Sequence, residues 1–438
     1  MNIKKRFVQI WTENKLFRYA VIINLSYFIV SLICVLTILK DQNDFIIYYT
    51  AGRIFYTDIN NLYDQNQYLW DYRYLPLSAM FFVPFYLLGF ELGFILFHIL
   101  NLIINILICN YLYKVCVLVR GVDHEQNDKR IILYICFYLM SVAQLFNYLL
   151  GQINQIITLF ILIALYMFIK YDTHKRQFLG GLILGISILI KPTAISMIPF
   201  LFIINLDFKR KKKLMIDFSI SILRFLGAVL PLSLNLILFF LYPKLWDGFV
   251  ETNFTGSNPV TLNFSFSITK IILNFCYVYN IPFNQLYVLI AVLSTLTVIG
   301  FIIFILGKFD KQHSIIYGLT IGMIVLLLGY YDSWNHHLLS LTPLLIIIIF
   351  NMPRHSKISD KIIQKSFFFF NFFDLAFMWF WFLQYMYFNF PYNFASTIFL
   401  VLVLYGISKQ FFSSKQDEEK YHSKLKTIRE GDIKEQEI

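Results

Sequence analysis

Apolar runs of about eighteen residues or more recur from one end of this chain to the other, and nothing else in the sequence constrains the fold as tightly. A run of that length is what a helix needs to cross a bilayer, where each backbone amide must find its partner within its own segment. One very large soluble core is the alternative, and composition excludes it. Of 438 residues, 58% are hydrophobic and 14% charged. Soluble domains carry about 25% charged residues, so too little polar surface remains here to cover such a core. The chain reads as an all-α polytopic membrane protein.

The formal net charge is +11, with the basic residues in short clusters between apolar runs. That spacing fits the positive-inside rule and attraction to anionic lipid headgroups, and it sets nucleic acid aside as a partner. The five cysteines show neither metal-ligand spacing nor a disulfide framework, and read as small buried hydrophobes. The first apolar run, 19–39, is too long for a signal-peptide core and is expected to remain as a span, with Lys4, Lys5 and Arg6 holding the N-terminus in the cytoplasm. The many phenylalanines and tyrosines read as lipid-facing bulk.

Counting sides from that start gives an organisation. Span one delivers a first outer loop, 41–90, to the outside, polar from Asp41 to Tyr74 and with the short apolar segment 76–88, interrupted by Pro84, lying at the interface as a helix. Spans follow near 91–117, 131–149 and 153–170. The run 178–206, taken as one helix, would strand the basic cluster Lys209–Lys213 outside. Lys191-Pro192 interrupts it, since proline removes a helix hydrogen bond, and two half-helices meeting there return the chain to the inside. Further spans are expected near 217–241, 285–307, 314–330, 338–351, 367–388 and 394–412, with a second large outer loop at 242–284. The expectation is a single transmembrane domain, 1–412, of about twelve membrane helices, followed by a cytoplasmic polar tail, 413–438. It predicts a multi-pass plasma-membrane protein with both termini cytoplasmic.

This counting brings almost every conspicuous polar cluster to the outer face. Asp44 opens the segment Asp44-Phe45-Ile46-Ile47-Tyr48-Tyr49-Thr50-Ala51-Gly52-Arg53 directly after span one. A carboxylate among aromatics at a membrane surface is partly desolvated, which suits a general base; an N-cap aspartate opening an interfacial helix reads equally well. Lys191 between apolar half-helices points to a cavity or an anionic ligand, against a snorkelling lysine at a helix break. In Asp332-Ser333-Trp334-Asn335-His336-His337, two histidines at a helix start suggest an anion site. A metal there would need Asp332 or Asp44 as well, and whether a divalent metal is required stays open; no cofactor is indicated. Gly151-Gln152-Ile153-Asn154 places amides at an outer turn, where they can bind sugar hydroxyls, and 255–259 reads as a loop turn.

Taken in order, these segments resemble a known family. Asp44-Phe45 with Tyr48-Tyr49-Thr50-Ala51-Gly52-Arg53, then Leu62-Tyr63-Asp64 and Tyr74-Leu75-Pro76, are similar to its first outer loop. Gly151-Gln152-Ile153-Asn154 is similar to its GQxN turn. Gly181-Leu182-Ile183-Leu184-Gly185 leading to Lys191-Pro192, and Ser333-Trp334-Asn335-His336-His337, complete the set over residues 40–350. The family is the polyprenol-phosphate-mannose-dependent alpha-1,2-mannosyltransferases related to those of mycobacterial phosphatidylinositol mannoside synthesis, which have the GT-C membrane glycosyltransferase fold. One departure is Asn263-Phe264-Ser265, where the family commonly has Asn-Gln-Ser.

The resemblance implies an inverting hexosyltransferase with its active site on the extracytoplasmic face. The donor would be a polyprenyl-phosphate sugar, mannose in the family, and the acceptor a glycolipid or glycan hydroxyl. Carried over, Asp44 is the base that deprotonates the acceptor; Lys191, Arg53, His336 and His337 hold the donor phosphate; Tyr48, Tyr49, Gln152, Asn154 and Trp334 contact substrate. Two other classes stay open. A secondary transporter also fits about twelve helices with a broken one, although no second Lys-Pro break occurs in the C-terminal half. A non-catalytic membrane subunit is the third reading.

Overall fold

The computed structural model describes residues 3–120, 124–202, 204–207, 213–255, 265, 267–306, 314–352, 357–374 and 395–409. Helices α1 (Ile3–Glu13) and α2 (Lys15–Thr37) meet at Asn14, whose side chain caps α2 by accepting the Phe17 N–H at 3.1 Å. A polar region follows, built from α3 (Asp44–Thr57), two 3-10 turns, and the five-residue helices α4 (Pro76–Met80) and α5 (Val83–Leu87), each with proline in its first turn. Then come α6 (Phe90–Arg120), α7 (His124–Leu139), α8 (Val142–Leu149), α9 (Asn154–Lys170) and α10 (His174–Ile190). A 3-10 helix, Pro192–Leu201, leads to an antiparallel hairpin of β1 (Ile204–Asp207) and β2 (Lys213–Ile216). The remainder is α11 (Phe218–Leu241), α12 (Pro243–Val250), α13 (Ile268–Val278), α14 (Gln285–Leu306), α15 (Ser314–Gly329), α16 (Leu338–Asn351), α17 (Lys357–Phe368) and α18 (Ala395–Lys409).

Among the described residues four helices, α2, α6, α11 and α14, are long and apolar enough to cross a membrane, and α7–α8 adds a fifth span bent by 41°. The expected spans that fall within the described residues therefore divide into these and a set of shorter apolar helices that includes α9, α15 and α16. The division has a physical basis. The long helices turn Ile22, Ile29, Ile103, Ile106, Leu236, Phe240, Ile290 and Ile302 outward, as a lipid-facing surface requires. In α15 every residue is buried, and in α16 all but the last. Helices α15 and α16 are enclosed by protein, so they need not match the bilayer thickness themselves, whereas α18 turns Ile398, Val401 and Tyr405 outward.

Polar side chains tie the helices together. Asn24, Asn105, Gln144 and Gln155, all buried, form a chain of amide hydrogen bonds of 2.8–3.1 Å across α2, α6, α8 and α9. Helices α10 and α11 approach at backbone distance through glycine: a Cβ at Gly181 or Gly185 would lie 2.2 or 2.3 Å from a carbonyl oxygen of α11, and one at Gly227 2.3 Å from Phe178 O.

The broken run bends as the side-counting requires, though its second half is tighter than expected. Pro192 forces Lys191 into extended geometry (φ −146°, ψ 120°), which ends α10. Helix α10 begins beside α11, with His174 and Ser219 hydrogen-bonded at 2.9 Å. From Lys191 the chain returns along α15: Ser196 bonds Gly322 O at 2.6 Å, and Phe200 reaches Gly318 and Phe304. Lys191 is thus the apex of a re-entrant pair whose two ends lie at the end of the bundle away from Gly329. That second half is a 3-10 helix of ten residues, with Pro199 inside it, and not the α-helical half-span expected to 206. Lys209 to Lys212, all of 256–264, most of the expected span 367–388 and the tail 413–438 lie outside the described residues.

Candidate active site

The site forms where the N-terminus of α3, the α8–α9 turn, the apex at Lys191 and the segment before α16 converge. Asn43, not Asp44, caps α3: its side chain accepts the Ile46 N–H at 3.1 Å. Asp44 is the first helical residue, so capping does not consume its carboxylate. Its backbone N–H donates to Leu150 O at 2.8 Å, which fixes α3 to the α8–α9 turn. Gly151 makes this docking possible. It holds φ +62°, and a Cβ there would meet Phe45 Cβ at 2.7 Å.

Gln152 is the hub. Its Nε2 donates to Asp44 Oδ2, while its Oε1 accepts from Lys191 Nζ at 2.9 Å and from the Tyr48 hydroxyl at 3.1 Å. The amide is itself held, its backbone N–H donating to Asn147 O at 2.9 Å and its carbonyl accepting from the side chain of Asn147 at 3.3 Å. Asn154 completes the bridge: Oδ1 accepts from Lys191 Nζ at 2.9 Å, and Nδ2 donates to His336 O at 3.1 Å. A base, a cation and the His336-His337 segment are therefore linked through two carboxamides.

Asp44 is half-buried, and its other oxygen accepts the Trp70 indole N–H at 3.0 Å. Burial pushes its carboxyl above the usual carboxylate range; the Lys191 charge and the hydrogen bonds from Gln152 and Trp70 pull it partly back. Lys191 is 3% exposed, and its ammonium stands 6.0 Å from the centre of the Tyr74 ring. Tyr74 in turn hydrogen-bonds Tyr48 at 2.9 Å. His337 accepts the Trp334 backbone N–H on Nδ1 at 3.0 Å, which leaves Nε2 to carry the proton of the neutral ring. The His336 and His337 rings sit 4.3 Å apart, both partly exposed.

Of the residues singled out in the sequence, Asp44, Tyr48, Gln152, Asn154, Lys191, Trp334, His336 and His337 come together. Two do not. Arg53 lies two and a half turns along α3 from Asp44, on the opposite face, exposed and bonded to Gln67 at 3.2 Å. Tyr49 packs with Phe45, Tyr86 and Phe90. The arginine at the site is instead Arg73, ion-paired to Asp332, 3.5 Å from Asp71 and 5.7 Å from the centre of the Tyr331 ring. Asp332 is thereby engaged, and among the described residues no group of three or more His, Cys, Asp or Glu side chains is placed to share a metal.

Trp70 and Arg73 were not predicted, because a polar loop rich in aromatics gives no periodicity to single them out; Tyr74 stood in the motif Tyr74-Leu75-Pro76 but was given no role in the site. Asp374 was missed as well. It is buried and accepts from Asn335 Nδ2 at 2.5 Å, tying the π-helical turn Phe369–Phe373 that follows α17 to the histidine segment.

The profile of glycosyltransferase family 87 matches residues 72–329, more than half of the chain. The matched stretch holds Arg73, Tyr74, Gln152, Asn154 and Lys191, with Asp44 before it and His336 and His337 after it. Among curated proteins and solved structures none matches the chain. On the family match, this chain is a membrane glycosyltransferase and belongs to glycosyltransferase family 87.

Proposed function

We propose that the protein transfers a hexose, mannose, from a polyprenyl-phosphate donor to a hydroxyl of a glycolipid or glycan, with inversion, on the extracytoplasmic face of the plasma membrane. The observation that carries this reading is the Asp44–Gln152–Lys191 bridge. A direct Asp–Lys ion pair would neutralise both groups. An amide between them keeps the carboxylate basic, and with two ammonium hydrogens given to Gln152 and Asn154 the third remains for an anion, the combination that transfer from a phosphate leaving group needs.

In the proposed step Asp44 takes the proton of the acceptor hydroxyl as its oxygen attacks the anomeric carbon. The bond between that carbon and the phosphate oxygen breaks, and the lipid phosphate leaves with the electron pair. Lys191 and the Nε2–H of His337 stabilise the departing anion. Asn154 holds Lys191 against the histidine segment, and Tyr48 steadies Gln152. The leaving group is already ionised, so it needs positive charge and donors more than a proton.

The bundle supports the outward placement. Arg120, Arg130, Lys175 and Arg176 cluster with the ends of the helices opposite the site, as the positive-inside rule expects of the cytoplasmic side. Assay of membranes with radiolabelled polyprenyl-phosphate mannose tests the reading. Labelled lipid or glycan should form with the wild type and be lost in Asp44→Asn. Labelling undiminished in that variant overturns the role of Asp44, and labelling only from a nucleotide sugar overturns the donor.

A further inference from the structure

A second cation lies in the same half of the molecule and serves none of these steps. Lys270, in the first turn of α13, is 1% exposed. Its backbone N–H is used by the Ser267 cap at 3.3 Å, but among the described residues its ammonium has neither a hydrogen-bond acceptor nor a carboxylate acting on it. The charge it does feel is that of the Arg73 guanidinium, and it is repulsive. One turn on, at i+4, Asn274 is fully buried, and among the described residues neither its Nδ2 nor its Oδ1 has a partner. Burying one unpaired ammonium is costly, and burying an unsatisfied amide on the same face compounds the cost.

The surroundings tie this face to the active site. Thr269 Oγ1 donates to Gly329 O, and Ser265 Oγ donates to Tyr331 O at 2.9 Å, which fixes the start of α13 against the segment leading to Asp332. Tyr331 lies under Arg73, and Arg73 is paired with Asp332 and close to Asp71. Those two acids answer Arg73, and Lys270 is left over. A buried lysine and a buried carboxamide one helical turn apart, neither side chain partnered among the described residues, match the oxygens of a phosphate ester: a charge for the anionic oxygens and an N–H for a third.

We propose that Lys270 and Asn274 form a second anion subsite that binds a phosphate ester of a lipid substrate, separate from the Lys191 cluster. Resting on the glycosyl-transfer reading, it deepens it: Lys191 faces the phosphate oxygen at the reacting carbon, and Lys270 gives a lipid phosphate a second place to bind outside that cluster. The shared chemistry is a lipid phosphate, either the monoester of a prenyl carrier or the diester of a phospholipid headgroup.

The test is binding, not turnover. The full chain in nanodiscs of neutral lipid is titrated with farnesyl phosphate, with dihexanoyl phosphatidylglycerol, and with farnesol as the uncharged control, and bound ligand is read by thermal shift and by equilibrium dialysis. The wild type should bind at least one phosphate lipid and not farnesol. Lys270→Gln should weaken that binding about ten-fold or more, the loss expected for one charge-assisted contact, with Lys270→Arg retaining most of it. Loss confined to farnesyl phosphate assigns the subsite to the prenyl monoester, and loss confined to the phosphatidylglycerol assigns it to the headgroup diester. An unliganded melting temperature of Lys270→Gln equal to or above wild type shows that the variant folds; should it fall, Asn274→Asp, which adds a carboxylate beside Lys270, must weaken phosphate binding by itself.

Unchanged binding in a folded Lys270→Gln, or binding lost only in Lys191→Met, overturns the proposal. So does a wild type that binds neither phosphate lipid. Because binding is read without turnover, failure of sugar transfer with binding intact would overturn the proposed reaction while leaving the subsite standing.

Discussion

Asp44 and Lys191 carry opposite charges in one cluster, yet each is satisfied by a different end of the Gln152 amide. That separation has a measurable consequence. Asp44 must be ionised to act as a base, and burial holds its carboxyl above the ordinary range while Lys191 opposes the shift. In the wild type kcat/KM should therefore fall with acid at a pH above that of a free carboxylate, about 3.9. Removing the lysine charge takes away a stabiliser of the ionised form, so Lys191→Met should move the acid limb to higher pH. It should also lower kcat by about 10²–10³-fold through loss of charge at the leaving group. A pH–rate profile of the two proteins checks both. An acid limb that stays in place would show that the lysine does not act on the base.

At the scale of elements, glycine decides how closely the pieces of the site approach. Gly151 combines φ +62° with Phe45 2.7 Å from the place a Cβ would take. Gly151→Ala should cost about 1–2 kcal/mol from backbone geometry alone, read as a lower melting temperature, with activity falling further as Gln152 moves off Asp44. Gly185 works at longer range. A side chain there meets the Ala228 carbonyl, so Gly185→Leu should part α10 from α11, displace Lys191 at the end of α10, and lower both stability and kcat. Thermal melts with a transfer assay separate this from a purely local effect. These elements were legible in the sequence to different degrees. Lys191-Pro192 announced a break because proline chemistry is local, and the basic cluster beyond it required the chain to turn back. The 3-10 geometry of 192–201 was not legible, since it comes from packing along α15 and from a second proline, Pro199.

The molecule as a whole sets long outward-facing apolar helices around the buried α15 and α16, with the polar groups of the candidate site collected at one end. Hydropathy revealed the long helices, because α2, α6, α11 and α14 are apolar over spanning length. It overstated the uniformity of the rest: α15 and α16 are as apolar as any span but are buried in protein. The site was legible where short motifs carry it, as at Gln152, Asn154 and His337. It was not legible where a loop folds back over 26 residues to bring Trp70 to Asp44, or across 259 to pair Arg73 with Asp332. Family membership sets the transporter reading aside. Sidedness has its own check: a cysteine at exposed Gln65 should react with an impermeant maleimide on intact cells, and one at Lys175 only after permeabilisation. The most direct test of the account remains the rate of mannose transfer from radiolabelled polyprenyl-phosphate mannose by wild type and Asp44→Asn, matched for membrane insertion. The account predicts a loss of about 10²–10⁴-fold, the worth of a general base; transfer at the wild-type rate would contradict it.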